Sequence, residues 1–305
     1  MTSSSKISIY AALAANIGIA IIKFIAAAIT GSSSMLSEGI HSAVDSGNQL
    51  LLLIGISRSK KPADEHHPFG HGQEIYFWSL IVGILIFGLG GGISVYEGVI
   101  HIQNPEKLEN PFWNYIVIII AFVFEGTSFV VASKNFIKKE GSGQFFHKLQ
   151  QSKDPSHFVV IFEDGAALCG LLIAFSGIFF SHYFNSPKID GVASILIGVL
   201  LAIVAVILVI ESRKLLIGES ADKETLALIK SILAEDPDVL QIKPPLTMQL
   251  SPDEVLLALD IQFKNDLESE ELAKVIRRLE QKIKAQLPTI KQIFIEANIF
   301  VKKVN

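Results

Sequence analysis

Six stretches of the chain, near 8–30, 34–56, 74–101, 112–136, 157–182 and 189–212, are apolar. Each reaches the length of about 20 residues that a helix needs to cross roughly 30 Å of hydrocarbon. Beyond residue 217 the pattern changes to one in which charged and apolar residues alternate. Asp222 and Glu224 open a helical segment that reaches about Glu235, and Pro237 helps to end it. Val239–Leu250 and Val255–Phe263 read as strands flanking a turn at Ser251-Pro252-Asp253-Glu254. Leu272, Val275, Ile276, Leu279 and Ile283 then recur at helical spacing, and Ile290–Val301 is a β-branched and aromatic run. The expected architecture is a multi-pass α-helical membrane protein: six transmembrane helices in 1–217, then a small cytoplasmic α+β domain of order α-β-β-α-β in 218–305. Association of copies is the expected job of that second domain.

Composition agrees, with 50% hydrophobic and 18% charged residues in 305 and a mean hydropathy of +0.46. A soluble globular class is a poor fit. Lys6, Arg58, Lys60, Lys61, Lys134, Lys138, Lys139, Lys148, Lys153, Arg213 and Lys214 fall on one side of the six spans, against Lys107 and Lys188 on the other. The excess of basic residues marks the cytoplasmic side, so both termini are expected to be cytoplasmic; a cell (inner) membrane is the expected setting. Gly31–Ser33 becomes an outer turn, and 57–73 and 137–156 become cytoplasmic loops. The first run exceeds signal-peptide length and is expected to stay as a span. Cys169 stands alone in an apolar run, which excludes an intramolecular disulfide and reads as a small buried hydrophobe. No nucleophile–base pair or phosphate loop lies outside the spans, so an enzyme is not expected. Nothing in the chain points to nucleic acid as a partner, and no permanently bound cofactor is expected.

Polar residues inside the spans carry the chemistry. His41-Ser42-Ala43-Val44-Asp45 puts an imidazole and a carboxylate four residues apart on one helix face, with Asn48 and Gln49 continuing the stripe. Ionisable groups at bilayer depth cost free energy and usually mark an ion or proton pathway, although a His and an Asp can also just tie helices together. Glu163-Asp164 in the fifth span is the second constellation. Adjacent residues lie about 100° apart on a helix. Asp164 is therefore expected as the ligand and Glu163 as its supporting partner, proton acceptor or alternate ligand. Tetrahedral zinc needs four donors; His41, Asp45 and Asp164 supply three, and water, Glu163 or Asn48 the fourth. Such ligands bind metal only when deprotonated, so one site can exchange protons for a divalent cation.

Glu125 in the fourth span and His157, two turns before Asp164, are candidates for an accessory or proton path. The alternatives are a helix-interface hydrogen bond for Glu125 and a solvated helix start for His157. Asp64-Glu-His-His-Pro-Phe-Gly-His-Gly-Gln-Glu74 gathers His66, His67 and His71 into one loop as candidates for metal capture, against a solvated loop capping the third span. Lys23 is expected to snorkel from the first span without chemistry. Gly83, Gly88, Gly90, Gly91 and Gly92 suggest close helix packing.

With these residues in hand, the chain resembles the cation diffusion facilitators (solute carrier family 30 type). The likeness rests on His41 and Asp45 four apart in the second span, on His67-Pro-Phe-Gly-His-Gly72, on Glu97 ahead of Asn104-Pro105, and on Asp190 with Ser194 opening the sixth span. It implies metal–proton antiport out of the cytoplasm, six spans, a cytoplasmic α+β domain and a homodimer. Family members usually carry a second His four residues before the fifth-span Asp, where this chain has Val160. Glu163-Asp164, Asp154-Pro155 and Asn48-Gln49 look most like the zinc-transporter-nine branch. That branch implies zinc as transported substrate, whereas oxygen donors in place of an imidazole suit manganese, iron or cobalt better. A non-transporting, metal-responsive membrane scaffold is the reading from another class. No histidine follows His182, so the second domain is not expected to hold an imidazole-ligated zinc cluster.

Overall fold

The computed structural model describes residues 3–105, 111–141, 143 and 145–298. It divides into two compact units, Met1–Ser57 with Glu74–Arg213, and Arg58–Gln73 with Lys214–Asn305. The second unit thus takes in residues 58–73 as well as the chain from Lys214 onward.

Among the described residues, the first unit holds α1 (Ser3–Thr30), α2 (Ser33–Ser59), α3 (Glu74–Leu85) and α4 (Ile93–Gln103), α5 (Phe112–Glu140), the short α6 (Phe145–Gln151), α7 (Pro155–Tyr183) and α8 (Lys188–Leu216). A π-helical segment, Ile86–Gly92, joins α3 to α4 in one 30-residue rod. Four helices are long and apolar enough to cross a membrane: Glu74–Gln103, Phe112–Lys138, Pro155–Tyr183 and Lys188–Leu216. The described apolar part of α1 is the shorter Asn16–Thr30. In α2 the polar residues Ser33, Ser34, Ser37, Glu38, His41, Ser42, Asp45, Ser46 and Asn48 are all buried inside the unit and interrupt its apolar run. Outward faces are apolar, with Ile119, Val123, Leu172 and Ile203 exposed, as hydrocarbon requires.

Gly31 adopts φ 68° and turns the chain between α1 and α2, as the sequence leads one to expect. Gly83 and Gly91 permit close packing on α8: a Cβ at Gly83 would lie 2.9 Å from Val209 Cγ2, and one at Gly91 3.0 Å from Gly198 O. Gly88 meets nothing within 4 Å, so that part of the expected packing stripe is open. Two expectations are corrected in this unit. The 137–156 segment is largely helical, because α5 continues to Glu140 and α6 follows. Cys169 is exposed on α7 rather than buried.

In the second unit α9 (Lys223–Ala234) starts at Asp222, whose side chain accepts from Thr225 N at 2.7 Å. Three strands follow instead of two: β1 (Val239–Ile242), β2 (Leu246–Ser251) and β3 (Glu254–Phe263). The expected α-β-β-α-β order is therefore α-β-β-β-α-β. Pro244 and Pro245 lack the N–H that a continuous ladder needs, and they split Val239–Leu250. β1 pairs antiparallel with Ile261–Phe263 and β2 with Glu254–Ala258, while β4 (Ile290–Ala297) pairs in parallel with β3. The expected final strand beyond Asn298 lies outside the described residues, as does Lys107 of the charge count. β3 alternates buried and half-buried positions, and its inward Val255, Leu257, Leu259, Ile261 and Phe263 pack with Val275, Leu279 and Ile283 of α10 (Ser269–Gln286) and with α9. The Arg58–Gln73 loop lies directly on β2: a Cβ at Gly72 would sit 2.5 Å from Leu250 O, and Phe69 meets Phe294 edge-on.

Candidate metal centre

The helical phase of α2 builds the centre. Glu38, His41, Asp45 and Asn48 recur at intervals of three and four and so share one face. All four are buried, at 0%, 1%, 8% and 1% exposure. His41 Nε2 lies 3.4 Å from Asp45 Oδ2, yet neither ring nitrogen has a hydrogen-bond partner. Asp45 Oδ1 and Asn48 Oδ1 are also without one. Buried polar atoms are normally satisfied, so this concentration of unmet donors and acceptors asks for a ligand.

The two α7 carboxylates part company, as adjacent helix positions must. Glu163 Oε1 accepts from Asn48 Nδ2 of α2 at 2.8 Å, and Asp164 Oδ2 accepts from Ser128 Oγ of α5 at 2.7 Å. His41, Asp45, Glu163 and Asp164 are all buried, on α2 and α7, and the Asn48–Glu163 hydrogen bond joins the two helices. Their ligand atoms do not close to the 4.8 Å mutual spacing found in the loop cluster described below. Ser128, which the sequence suggested only as an interface partner for Glu125, holds Asp164.

Lys23 does not snorkel. Its ammonium is fully buried, donates to Glu38 Oε2 at 3.0 Å and Ser42 Oγ at 2.7 Å, and lies 3.9 Å from Glu125 Oε1. A buried charge needs such partners, because its desolvation otherwise costs on the order of several kcal/mol. Glu125 is therefore part of an ion pair with α1. His157 sits at the start of α7, its Nε2 3.6 Å from the N-cap Asp154 and its ring against Phe136. Glu38 was the missed member of the α2 stripe; its three-residue offset from His41 was the signal.

Asp190, part of the motif at the start of α8, fastens the beginning of α2. Its fully buried carboxylate accepts from Ser33 N at 2.6 Å, Ser34 N at 3.2 Å, Ser33 Oγ at 3.1 Å, Ser32 Oγ at 3.0 Å and also from Ser34 Oγ. Unpaired N–H groups at a helix N-terminus favour such an anion. Ser194 joins in: its hydroxyl meets Ser37 Oγ at 2.6 Å and donates to Ser94 O at 2.8 Å. These contacts hold the helix that carries His41 and Asp45.

In the second unit, Asp64, His67 and His71 bring one ligand atom each within 4.8 Å of the others, alone in this among the described residues. His71 Nε2 is 2.9 Å from Asp64 Oδ2, and His67 Nδ1 3.2 Å from Oδ1, which also accepts from the His66 and His67 amides. The hydrogen bond from His71 above all, then those from His67 and the His66 amide, hold the Asp64 carboxyl below the usual carboxylate range. Of the three expected loop histidines, His66 joins only through its backbone, and Asp64 takes the remaining place. Two imidazoles and a carboxylate form a donor set that suits zinc.

A family profile described as the cation efflux transmembrane domain matches residues 9–217. The chain belongs to this family of multi-pass membrane transporters, the cation diffusion facilitators. It stands close to the zinc-transporter-nine branch. It is 33% identical over 268 residues, 85% of this chain and 48% of the relative, to the Proton-coupled zinc antiporter SLC30A9, mitochondrial, of Xenopus laevis. With the human protein of the same name the identity is 32% over 267 residues, 85% and 47% of the two chains. The chain thus spans about half the length of these curated relatives. The Manganese efflux system protein MneP of Bacillus subtilis is 22% identical over 279 residues, 89% of this chain and 88% of that one.

Proposed function

We propose that the protein exports a divalent metal ion, zinc foremost, from the cytoplasm in exchange for protons. The observation that carries this reading is the set of unpartnered ligand atoms on α2, His41 Nδ1 and Nε2 with Asp45 Oδ1, on the helix that the Asn48–Glu163 hydrogen bond joins to α7. His41, Asp45 and Asp164 bind the ion; Glu163, steadied by Asn48, is the alternate ligand or proton acceptor. Protonation of the same groups from the far side releases it, since metal and protons compete for them. Six helices of 27 residues or more, α1 and α2 among them, act as six spans with both termini cytoplasmic. The mitochondrial setting in the SLC30A9 names belongs to those relatives; the charge asymmetry of this chain supports the orientation, and a cell (inner) membrane is the proposed setting. Asp64, His67 and His71 capture metal on the cytoplasmic side, and the second unit pairs copies into a homodimer. Alternating access follows from helices rocking around the fixed site.

One observation favours manganese as a second substrate. Asp45, Glu163 and Asp164, with Asn48 and Ser128 bonded to the last two, offer oxygen donors beside a single imidazole in the proposed ligand set, and harder donor sets accept manganese more readily. The test is uptake by the purified full chain in liposomes under an imposed pH gradient, with zinc and manganese compared for wild type, Asp45→Ala and Asp164→Ala. Gradient-driven accumulation of either ion, lost in both variants, supports the reading and names the metal. Stoichiometric binding without accumulation would replace it with a metal-responsive scaffold.

A further inference from the structure

The proposed ligand set leaves Glu38, Ser42 and Glu125 unused, and a cation is already seated among them. Lys23 of α1 reaches 3.0 Å from Glu38 Oε2 and 2.7 Å from Ser42 Oγ of α2, and 3.9 Å from Glu125 Oε1 of α5. Glu38 and Lys23 are 0% exposed and Glu125 is 9% exposed. The ammonium engages only one oxygen of Glu38; Oε1 is buried without a hydrogen-bond partner. That oxygen rests against Gly170 of α7, where any Cβ would collide with it. Oxygen donors from two helices thus surround a positive charge supplied by a third.

We propose that Lys23 is a tethered cation that keeps these oxygens out of the ligand set, so that the helical unit holds a divalent ion only at the site of His41, Asp45 and Asp164. Removing the charge on Lys23 opens a second cation station at Glu38, Ser42 and Glu125. Its donors are all oxygens, so manganese fits it better than zinc. Lys23 is then a specificity-determining residue: it sets how many ions the path holds. The inference rests on His41 and Asp45 being the transport site. A purely structural ion pair makes a different statement, that loss of Lys23 weakens the fold and adds no metal.

The experiment uses the full chain in lipid nanodiscs, with Asp64→Asn throughout to remove the loop cluster. Manganese bound per protomer is counted after equilibrium dialysis, and thermal unfolding is followed with and without manganese. Lys23→Gln is expected to bind one manganese ion more than its parent and to regain, with manganese, the thermal stability it loses without. Lys23→Arg keeps the parent's count, and Lys23→Gln combined with Glu38→Gln returns to it and loses the manganese rescue. A folded Lys23→Gln that binds no additional ion, or an unstable one that manganese fails to rescue, overturns the proposal. A parent without an intramembrane ion, beside a Lys23→Gln that gains one, instead sinks the transport-site reading and spares this one.

Discussion

The two groups of candidate ligands differ in what they do without a metal. On α2 and α7 the side chains are buried, and several ligand atoms are left without partners, both His41 nitrogens among them. In the Arg58–Gln73 loop, Asp64 and His67 are about half exposed, and the two imidazoles and two amides already satisfy Asp64. Leaving a buried polar atom unsatisfied costs about 1–3 kcal/mol, whereas an exposed cluster that satisfies itself in water bears no such cost. On the proposed reading a passing ion completes the first arrangement, whereas the second is satisfied by its own hydrogen bonds.

The largest expected effect follows directly. Asp45→Ala or Asp164→Ala should reduce zinc uptake into liposomes by at least about a hundredfold, the upper end of what losing even a supporting group costs a metal site. Asp64→Ala should reduce it less than about tenfold by the lower end of the same range. Equal losses at the two places would erase the distinction between a site in the path and a cluster beside it.

The groups that orient the ligands come next. Ser128→Ala removes the hydroxyl that holds Asp164, and Asn48→Ala the amide that holds Glu163. Each should weaken metal affinity about tenfold, as supporting hydrogen bonds commonly do, with the helical content unchanged by circular dichroism. Isothermal titration of the full chain reads this. Unaltered affinity in both variants would mean that α7 presents its carboxylates without help from α2 and α5.

The same contrast governs what could be read from the chain. The shared buried face of His41 and Asp45 was legible because helical periodicity brings residues four apart together. The same rule parted Glu163 from Asp164, and the structure sends them to different helices. Lys23 was misread because a lone lysine near a span's end normally reaches water, and only the tertiary arrangement supplies Glu38, Ser42 and Glu125 as partners. The Asp190 clamp on Ser32, Ser33 and Ser34 joins residues more than 150 positions apart, which no local pattern encodes. In the second unit the strand-like runs were visible, while the Pro244-Pro245 break was overlooked although it lay in plain sight. The loop's attachment to β2 had no sequence signal beyond Gly72, whose missing Cβ permits it.

A smaller effect belongs to the loop itself. With the intramembrane site disabled by Asp45→Ala and Asp164→Ala, any zinc that the full chain retains is expected at Asp64, His67 and His71. Adding Asp64→Asn should then abolish it in equilibrium dialysis, because two imidazoles alone leave the site half built. Retention after all three changes would place a metal where neither cluster accounts for it.

The smallest effect is a matter of pH, and its sign can be worked out. Asp64 is more acidic in the folded loop than in an unfolded chain, chiefly because His71 and then the His67 amide donate to the charged form. A depressed carboxyl contributes stability that is complete above its unfolded value, about 3.9, and that disappears as pH falls through the lower folded value. The loop should therefore keep the His66 and His67 amides bonded to Asp64 at about pH 4, where an ordinary aspartate is already half protonated. Hydrogen exchange at those two amides, or the carboxyl carbon shift of Asp64, should show a midpoint clearly below about 3.9. In the Asp64→Asn variant the acid transition should be absent. A midpoint at or above the ordinary value would mean that the loop's hydrogen bonds do not persist in water, and that its order depends on a bound metal after all.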